Sequence, residues 1–453
     1  MATAADKLVL HSRRSTLGVS SAGYLARGLS ATLAVRLTTL GLSFVTLVVL
    51  SRLLGPEGYG EYAYVMATVA ILSPLAAFGM SSIVVREIAA CRARDDYARM
   101  KGVVAFALIV GLVSLAILSL ACWLFSMAAE AWLPAASPGD HLLLAFALLV
   151  LATLAGVFSA TQQGLKRIFA AQVPCAIVQP LLMVLLLLLA WWAWRRPIGV
   201  QDALLLAVIA GALALSVAVV LTRRAWRQAR PPVSHGWQFD ARRWTAAGFS
   251  LAVLGVLSAL NAQADIVALR WLAGAESTGI FHVATRNAQL LTLLLGALIA
   301  PLGPLIAELH ASGDRAALQG VVRRSIRVVF LLTLPVALVM IAAGGYYLEL
   351  FGAGFATGHA ALAILALAQL VNVGAGPVQT LLIMTGRQAR ILPAMSWSLV
   401  ANVALNVALI PRFGATGAAC ATAFSMVLWN VVLSYEVRRH LGIDAGVLGT
   451  PAR

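Results

Sequence analysis

The chain is dominated by long apolar runs that alternate with short polar connections. Twelve of these runs reach the length of about 20 residues that a helix needs to cross the hydrocarbon core of a bilayer. Transmembrane β-strands are about half as long and alternate strictly between apolar and polar residues. The pattern therefore predicts an all-α polytopic membrane protein of about twelve transmembrane helices. The predicted spans are 29–50, 62–83, 102–126, 141–160, 173–194, 203–221, 245–269, 279–307, 326–345, 359–384, 391–411 and 415–435.

The longest interruption, residues 222–244, divides six predicted spans from six others. It contains Pro231, Pro232 and six arginines. Pro-rich and charged stretches are typical of boundaries between compact units. We therefore interpret 222–244 as a basic cytoplasmic linker between an N-terminal six-helix lobe, 1–221, and a C-terminal six-helix lobe, 245–453.

A weak internal repeat supports the two-lobe interpretation. The polar stretch after span 1 aligns with the stretch after span 7 when one residue is inserted. The aligned residues are Arg52, Glu57 and Gly60 in the first lobe and Arg270, Glu276 and Gly279 in the second. Six-helix repeats of this kind build transporters whose substrate site lies between the halves. The alternative is that short outward-facing hairpins simply favour glycine and charge.

Composition and charge agree with a membrane protein. Of the 453 residues, 61% are hydrophobic and 11% are charged, against about 25% charged in typical soluble domains. The net charge of +16 is unevenly distributed. Lys and Arg concentrate in alternate connections, such as 84–101, 222–244 and 308–325, and are absent from 127–140 and 346–358. This positive-inside pattern predicts a bacterial inner-membrane protein with both termini in the cytoplasm, and it argues against nucleic-acid binding.

The sequence lacks the motifs of common catalytic and metal sites. None of Lys7, Lys101 and Lys166 stands in a phosphate-binding loop, and no H-E-x-x-H pattern occurs. The four cysteines are far apart in the sequence, which favours neither disulfides nor metal binding. We expect no catalytic residues, cofactor or metal site. A membrane glycan polymerase or ligase, the enzymatic alternative, would need a long outward loop, and the predicted outward connections are all short.

A few polar residues inside the predicted spans are the candidate functional residues, because such residues are costly in lipid. They are Arg36 in span 1, Asp265 in span 7, Arg286 with Asn287 and Gln289 in span 8, and Asn372 in span 10. Structural alternatives remain open. Arg36 would reach the cytoplasmic surface by snorkelling, Asp265 would pair with Arg286, and the amides would join helices.

The balance of these charges bears on the cargo. Arg36 and Arg286 place two cations inside the spans, one in each lobe, against the single carboxylate of Asp265. Arginine binds phosphate oxygens through charge-assisted hydrogen bonds. This balance favours an anionic cargo, whereas a site for cation efflux would require carboxylates in the cavity.

Several motifs together resemble the polysaccharide flippases (Wzx-like, O-antigen and exopolysaccharide transporters) of the multidrug/oligosaccharidyl-lipid/polysaccharide superfamily. The first lobe carries 51–60, with Arg52, Gly55 and Tyr59, and then 78–80 and 86–87. The second lobe carries Asp265, 279–281, 284–286 and 406–419. The resemblance covers nearly the whole chain. Each motif is weak alone, and the order and spacing of the set make it specific.

The resemblance implies a two-lobe bundle around a partly cationic cavity. Such proteins flip a polyprenyl-pyrophosphate-linked oligosaccharide from the cytoplasmic to the periplasmic leaflet by alternating access, for O-antigen, capsule or exopolysaccharide synthesis. It implies a proton or sodium ion as the coupling ion, with Asp265 as its site, and polysaccharide polymerase machinery as a partner. Arg36, Arg286, Asn287, Gln289 and Asn372 become the predicted cargo-binding residues. The alternative is a multidrug or metabolite cation antiporter of the same fold.

The charge pattern generates a topology prediction. Reporter fusions at Arg94, Gln228 and Arg315 should give cytoplasmic signals, and fusions at Ser137 and Phe355 should give periplasmic signals, because basic connections stay in the cytoplasm. Paired alkaline phosphatase and fluorescent-protein reporters measure the side directly. A periplasmic signal at Gln228 would contradict the arrangement of six spans plus six.

Overall fold

The computed structural model describes the backbone of residues 4–94, 96–132, 139–194, 196–228 and 236–447. Within these ranges it describes the side chains from residue 38 onward, except 125–140, 297, 300 and 301. Arg36 and the centre of the predicted linker, 229–235, therefore lie outside the described side chains. The chain forms two compact units, Met1–Val45 and Thr46–Arg453. The first is helical from residue 4 onward, and the contacts below belong to the second.

The described residues are mostly helical. In order, the α-helices are α1 Ala4–Ala77, α2 Met80–Ala93, α3 Tyr97–Trp132, α4 Gly139–Gly164, α5 Ile168–Val173, α6 Gln179–Trp194, α7 Val200–Gln228, α8 Ala241–Leu272, α9 Gly274–Ala288, α10 Leu293–Ala311, α11 Arg315–Leu348, α12 His359–Ala375, α13 Val378–Met384 and α14 Ile391–Leu441. A π-helical turn, Pro174–Val178, joins α5 to α6, and short 3₁₀ turns cover Gln289–Thr292, Glu349–Phe351, Ala353–Gly358 and Gln388–Arg390.

Nine helical segments of the described chain are long and apolar enough to cross a membrane. Two of them are long enough for two crossings: Thr38–Ala77 has 40 residues and Gln388–Leu441 has 54, or about 60 and 80 Å at 1.5 Å per residue, against a hydrocarbon core of about 30 Å. Each bends at a glycine with positive φ, Gly55 (67°) and Gly414 (53°). Each therefore supplies two of the predicted spans.

The remaining predicted span, 279–307, lies on α9 and α10, so the prediction of an all-α polytopic fold with about twelve spans is confirmed. A 3₁₀ turn at Gln289–Thr292 interrupts the α-helix within this span. The Thr292 hydroxyl donates to the Gln289 carbonyl at 2.8 Å. Such local side-chain bonds compete with the regular helical ladder.

The predicted span 62–83 is also interrupted. Helix α1 ends at Ala77, and α2 begins at Met80 after Phe78 (φ 47°) and Gly79 (φ 66°). A Cβ atom on Gly79 would lie 2.6 Å from the Gly248 carbonyl oxygen of α8. Glycine is required here both for the left-handed conformation and for the close approach of α8.

The helical bundle has two halves, α1–α7 and α8–α14. Each half has its own apolar core. The first core joins α2, α3 and α4 through buried residues such as Met80, Ile88 and Met100. The second joins α10, α11, α13 and α14 through residues such as Ile306 and Val322. Trp244 of α8 is fully buried within the first core. The start of α8 thus packs on the first half, and the lobe boundary at 245 stays a prediction.

The two halves also meet along a contact that we call the seam: residues 56–64 of α1 against 270–279 of α8 and α9. A Cβ atom on Gly60 would lie 1.8 Å from the Ala275 carbonyl oxygen, and one on Gly279 would lie 2.1 Å from the Pro56 carbonyl oxygen. The two glycines of the sequence repeat therefore pack against opposite halves. Only residues without a side chain permit this backbone approach.

Polar and aromatic contacts extend the seam on both sides of the glycines. Arg270 of α8 forms an ion pair with Glu61 of α1, with an N–O distance of 2.6 Å. In the other direction, Arg52 Nε donates to the Leu350 carbonyl oxygen at 2.7 Å. The arginines that align in the repeat thus both reach across to the opposite half.

The close approach at the seam predicts that one methyl group added at Gly60 lowers the stability of the protein. Gly60→Ala should destabilise the protein by about 1–3 kcal/mol, the usual cost of overpacking a tight contact. Gly320→Ala is the matched control, because Gly320 lies on α11 and has nothing within 4 Å of an added Cβ atom. Thermal unfolding of both purified variants in detergent measures the difference. Equal melting temperatures would contradict the seam geometry.

Candidate functional site

A polar stripe of His282, Thr285, Arg286 and Gln289 runs along one face of α9 into the 3₁₀ turn that follows it. These residues are spaced three or four apart, as neighbours on a helix surface are. Arg286 and Gln289 are exposed, while Phe281, Val283 and Ala284 on other faces are buried. Arg286 lies twelve residues after the start of α9 at Gly274, about 18 Å along the helix. A charged side chain so deep in a membrane helix is expected to face a water-filled interior rather than lipid.

The hydrogen bonds of Arg286 go to side chains one turn before and after it along the chain. Its Nε donates to His282 Nε2 at 3.2 Å, and its Nη1 donates to Gln289 Oε1 at 3.4 Å. The ion pair between Arg286 and Asp265, which was the structural alternative for Asp265, is not formed. The hydrogen bonds of Asp265 go instead to Asn406 and Thr422. Arg286 is thus an exposed cation without an ion-pair partner among the described residues.

A hydrogen bond joins this stripe to the other half of the molecule. The ring nitrogen Nδ1 of His282 lies 2.8 Å from the hydroxyl oxygen of Tyr59 on α1. Tyr59 is only 3% exposed. Its ring packs edge-on against Phe355, with centroids 6.2 Å apart, and stacks on Tyr62 at 6.4 Å. The arginine at the polar stripe is thus connected, through one histidine, to the seam.

Asp265 lies in a separate buried cluster between α8 and α14. The side chain accepts hydrogen bonds from Asn406 Nδ2 at 2.6 Å and from Thr422 Oγ1 at 2.8 Å, and the residue is 7% exposed. Asn406 Nδ2 also donates to Asn402 Oδ1 at 3.0 Å. Within the described part of the chain, Asp265 has no ion-pair partner. A buried carboxylate without a cation is costly, so this cluster suits a bound cation or proton.

The donor set of the cluster limits which cation fits. Among the described residues no group of three or more His, Cys, Asp or Glu side chains is placed to hold a metal. The Asp265 cluster offers one carboxylate with amide and hydroxyl oxygens, and buried Asn406 Oδ1 has no hydrogen-bond partner there. Hard oxygen ligands with a single negative charge fit a small monovalent cation better than a soft transition metal.

Asn287 and Asn372, predicted as cargo residues, are engaged inside the protein. Fully buried Asn287 donates to the Val283 carbonyl oxygen at 2.8 Å and accepts from the Tyr347 hydroxyl at 2.6 Å. Asn372 accepts from Asn430 Nδ2 at 3.1 Å and donates to Gln369 at 3.2 Å. In this conformation both amides join helices, which was the structural alternative for such residues.

A separate cavity of about 410 Å³ lies between α1, α3 and α4. Its lining residues are Thr68, Val69, Leu72, Leu118, Ser119, Cys122, Leu142, Leu143, Ala145, Phe146 and Leu149. None of them is charged, and none is a predicted site residue. The cavity therefore offers no cation to an anionic cargo.

The structure brings three further residues to these sites that are not among the predicted site residues. His282 lies one helical turn before Arg286, a spacing that the sequence itself shows and that places the two side chains on one helix face. Tyr59 stands within the repeat motif, but nothing in the sequence indicates its contact with His282. Thr422 carries no sequence signal, because only the packing of α8 on α14 places its hydroxyl on Asp265.

Comparison with known proteins agrees with this architecture. Residues 25–310 match the family described as polysaccharide biosynthesis protein. A probable flippase, AglR, of Haloferax volcanii is 28% identical over 173 residues, which cover 37% of this chain and 36% of that protein. The matched segment thus spans little more than a third of that relative.

Solved structures with the same fold include three transporters at low sequence identity. A multidrug resistance MATE family transporter of the MOP superfamily in an inward-facing conformation has a TM-score of 0.70 at 16% identity, covering 89% of this chain and 94% of that one. The lipid II flippase MurJ in an inward closed conformation has a TM-score of 0.66 at 16% identity, covering 90% and 86%. An outward-facing MATE structure has a TM-score of 0.57 at 13% identity, covering 90% and 93%.

Proposed function

Since the chain belongs to the polysaccharide biosynthesis protein family, we propose that it flips a polyprenyl-pyrophosphate-linked oligosaccharide from the cytoplasmic to the periplasmic leaflet. The observation that carries the proposal is the exposed Arg286 on the polar face of α9. A diphosphate must cross the bilayer midplane, and arginine stays charged when desolvated and binds phosphate oxygens with two parallel hydrogen bonds. The prenyl tail can remain in lipid during this step.

The arrangement of charges supports an anionic cargo. Arg286 of α9 and Gln289 of the following 3₁₀ turn are exposed, whereas the intramembrane carboxylate of Asp265 is buried in its own cluster. The cargo would therefore meet a cation and an amide rather than a carboxylate. We assign the diphosphate to Arg286 and Gln289. Arg36, which lies outside the described side chains, stays a separate sequence-based prediction. Asn287 and Asn372 hold the helices around this site.

We assign energetic coupling to the Asp265 cluster. A proton or sodium ion bound by Asp265, with oxygens of Asn406 and Thr422 nearby, would neutralise the buried charge. These groups lie on α8 and α14. Binding at their interface would change how these two helices pack, which is the kind of differential contact that can bias a conformational equilibrium.

The conformation that we propose is open to the cytoplasm. The seam lies at the end of α8 and the start of α9, which the charge pattern assigns to the periplasmic side, and the seam is closed. The TM-score of 0.70 with the inward-facing MATE transporter, against 0.57 with the outward-facing one, supports this assignment. The proposed setting is a bacterial inner membrane, with both termini in the cytoplasm and polysaccharide polymerase machinery as a partner.

A multidrug or metabolite cation antiporter is the second candidate, because the inward-facing MATE transporter shares the fold with a TM-score of 0.70. In that case Asp265 would bind the cationic substrate or its exchanging ion, and Arg286 would have no cargo to hold. The effect of removing each charge therefore distinguishes the two candidates.

The flippase proposal predicts that Arg286→Ala lowers affinity for the cargo by tenfold or more, because charge-assisted hydrogen bonds contribute about 1.5–3 kcal/mol each. Arg286→Lys should retain partial function, since it keeps the charge and loses the two-pronged geometry. Arg36→Ala should behave like Arg286→Ala. Complementation of a surface-glycan-deficient deletion strain, normalised to membrane abundance, measures the effect.

Arg224→Ala is the control for these variants, because it removes an exposed arginine near the end of α7. It should complement fully. Normal surface glycan with both Arg36→Ala and Arg286→Ala at normal abundance would place the anion site elsewhere and favour the antiporter.

Asp265→Asn tests the coupling assignment. The variant should remain abundant in the membrane and lose the dependence of transport on the ion gradient, because the neutral amide keeps the size of the carboxylate and removes its charge. Transport of a fluorescent lipid-linked glycan into proteoliposomes with imposed proton or sodium gradients measures this. Unchanged gradient dependence would exclude Asp265 from coupling.

A further inference from the structure

The hydrogen bonds around His282 have only one consistent direction. Arg286 Nε can only donate, so His282 Nε2, at 3.2 Å, must be the acceptor. A neutral imidazole that accepts at Nε2 carries its hydrogen on Nδ1. His282 Nδ1 therefore donates to the Tyr59 hydroxyl oxygen, 2.8 Å away. A doubly protonated ring would place a hydrogen against the guanidinium and lose this contact.

This chain of bonds fixes the guanidinium of Arg286 in a defined orientation. With Nε bound to His282 and Nη1 near Gln289 Oε1, Nη2 has no hydrogen-bond partner among the described residues. The outer edge of the guanidinium thus remains available to an anion. Arg286 itself is exposed on the polar stripe, so an anion in the interior can reach it.

The same chain depends on the seam. Tyr59 belongs to α1, whereas His282 and Arg286 belong to α9. The Tyr59 ring contacts Tyr62 of α1 and Phe355 of the 3₁₀ turn Ala353–Gly358. One residue further along α1, Gly60 packs against the Ala275 carbonyl. If α1 and α9 separate at the seam, the hydroxyl that accepts from His282 Nδ1 leaves with α1.

We propose that His282 is a positioning residue that presents Arg286 to the diphosphate only while the seam is closed. The proposal rests on the flippase function and adds a cause for cargo release. With the seam closed, the arginine is oriented and affinity for the diphosphate is high. When the seam opens, His282 loses its partner on α1, its ring is free to turn, and Arg286 loses its fixed orientation.

Thermodynamic linkage gives the proposal a second consequence. If closure of the seam strengthens diphosphate binding, diphosphate binding must favour closure by the same factor. A ligand with equal affinity for the closed and the open state would not shift the equilibrium between them. The bond between Tyr59 and His282 is the contact that makes the two affinities unequal.

Binding of farnesyl diphosphate to the full chain in nanodiscs tests the positioning role. His282→Ala should weaken binding by roughly tenfold, the effect of losing an oriented charge-assisted contact. His282→Gln should recover most of the affinity, because the glutamine amide oxygen can accept from Arg286 Nε near the position of Nε2. His282→Asn places its amide near Nδ1 and should not. His310→Ala, at an exposed histidine near the end of α10, should bind like the wild type.

A thiol-labelling experiment tests the link to the seam. With the four cysteines changed to serine, Ala275→Cys places a thiol at the buried seam. Farnesyl diphosphate should slow its modification by a membrane-impermeant maleimide. Tyr59→Phe keeps the ring and removes the hydroxyl, so this protection should disappear although Arg286 is intact.

The outcomes separate this proposal from the function on which it rests. Failure of the wild-type protein to bind farnesyl diphosphate would overturn the flippase proposal. Wild-type binding with equal affinity in His282→Ala, or protection that persists in Tyr59→Phe, would overturn the role of His282 alone. A purely structural role would lower the folded fraction of every His282 variant, with unchanged affinity per folded molecule and no selective recovery by His282→Gln, and would also overturn it.

Discussion

Where Gly60 of α1 meets Ala275, and where Gly279 of α9 meets Pro56, the two halves approach each other through backbone atoms. No side chain larger than hydrogen can enter that contact, so the distance between α1 and α9 is fixed at a value that brings Tyr59 within hydrogen-bond reach of His282. The ion pair between Arg270 and Glu61 reinforces the same contact. The orientation of Arg286 follows from this approach, because its partner His282 is bound to the opposite half.

A second constraint is the cost of charge in the membrane. Among the described residues, Arg286 lies on the exposed polar stripe, while Asp265 is enclosed by α8 and α14 and bound by Asn406 and Thr422. An exposed cation can bind a cargo that enters and leaves. An enclosed carboxylate suits a small ion that exchanges when helices repack. This separation is the physical basis for assigning cargo and coupling to different sites.

The proposed cycle needs a difference in cargo affinity between its two end states. Burial of the Asp265 carboxylate does not by itself make the affinity for a diphosphate differ between the two states, since Asp265 and Arg286 are not paired. The bond between Tyr59 and His282 supplies it, because it exists only when the halves are together at the seam. Cargo affinity and conformation are then linked through one ring, without a change in the residues that contact the cargo.

The sequence by itself determined the fold class. Twelve apolar runs of membrane-spanning length predict transmembrane helices, because in a helix each backbone polar group forms its hydrogen bond within the same segment. The sequence also identified Arg286 and Asp265, since charges inside apolar runs stand out against their neighbours. Only the tertiary structure decided their partners. Spacing along one helix could join Arg286 to His282, but the Tyr59 and Thr422 contacts connect residues 223 and 157 positions apart. The breaks at Phe78–Gly79 and Gln289–Thr292 likewise lie inside runs whose hydropathy is uninterrupted. Hydropathy reports which segments enter the membrane, whereas breaks and long-range hydrogen bonds depend on which helices pack together.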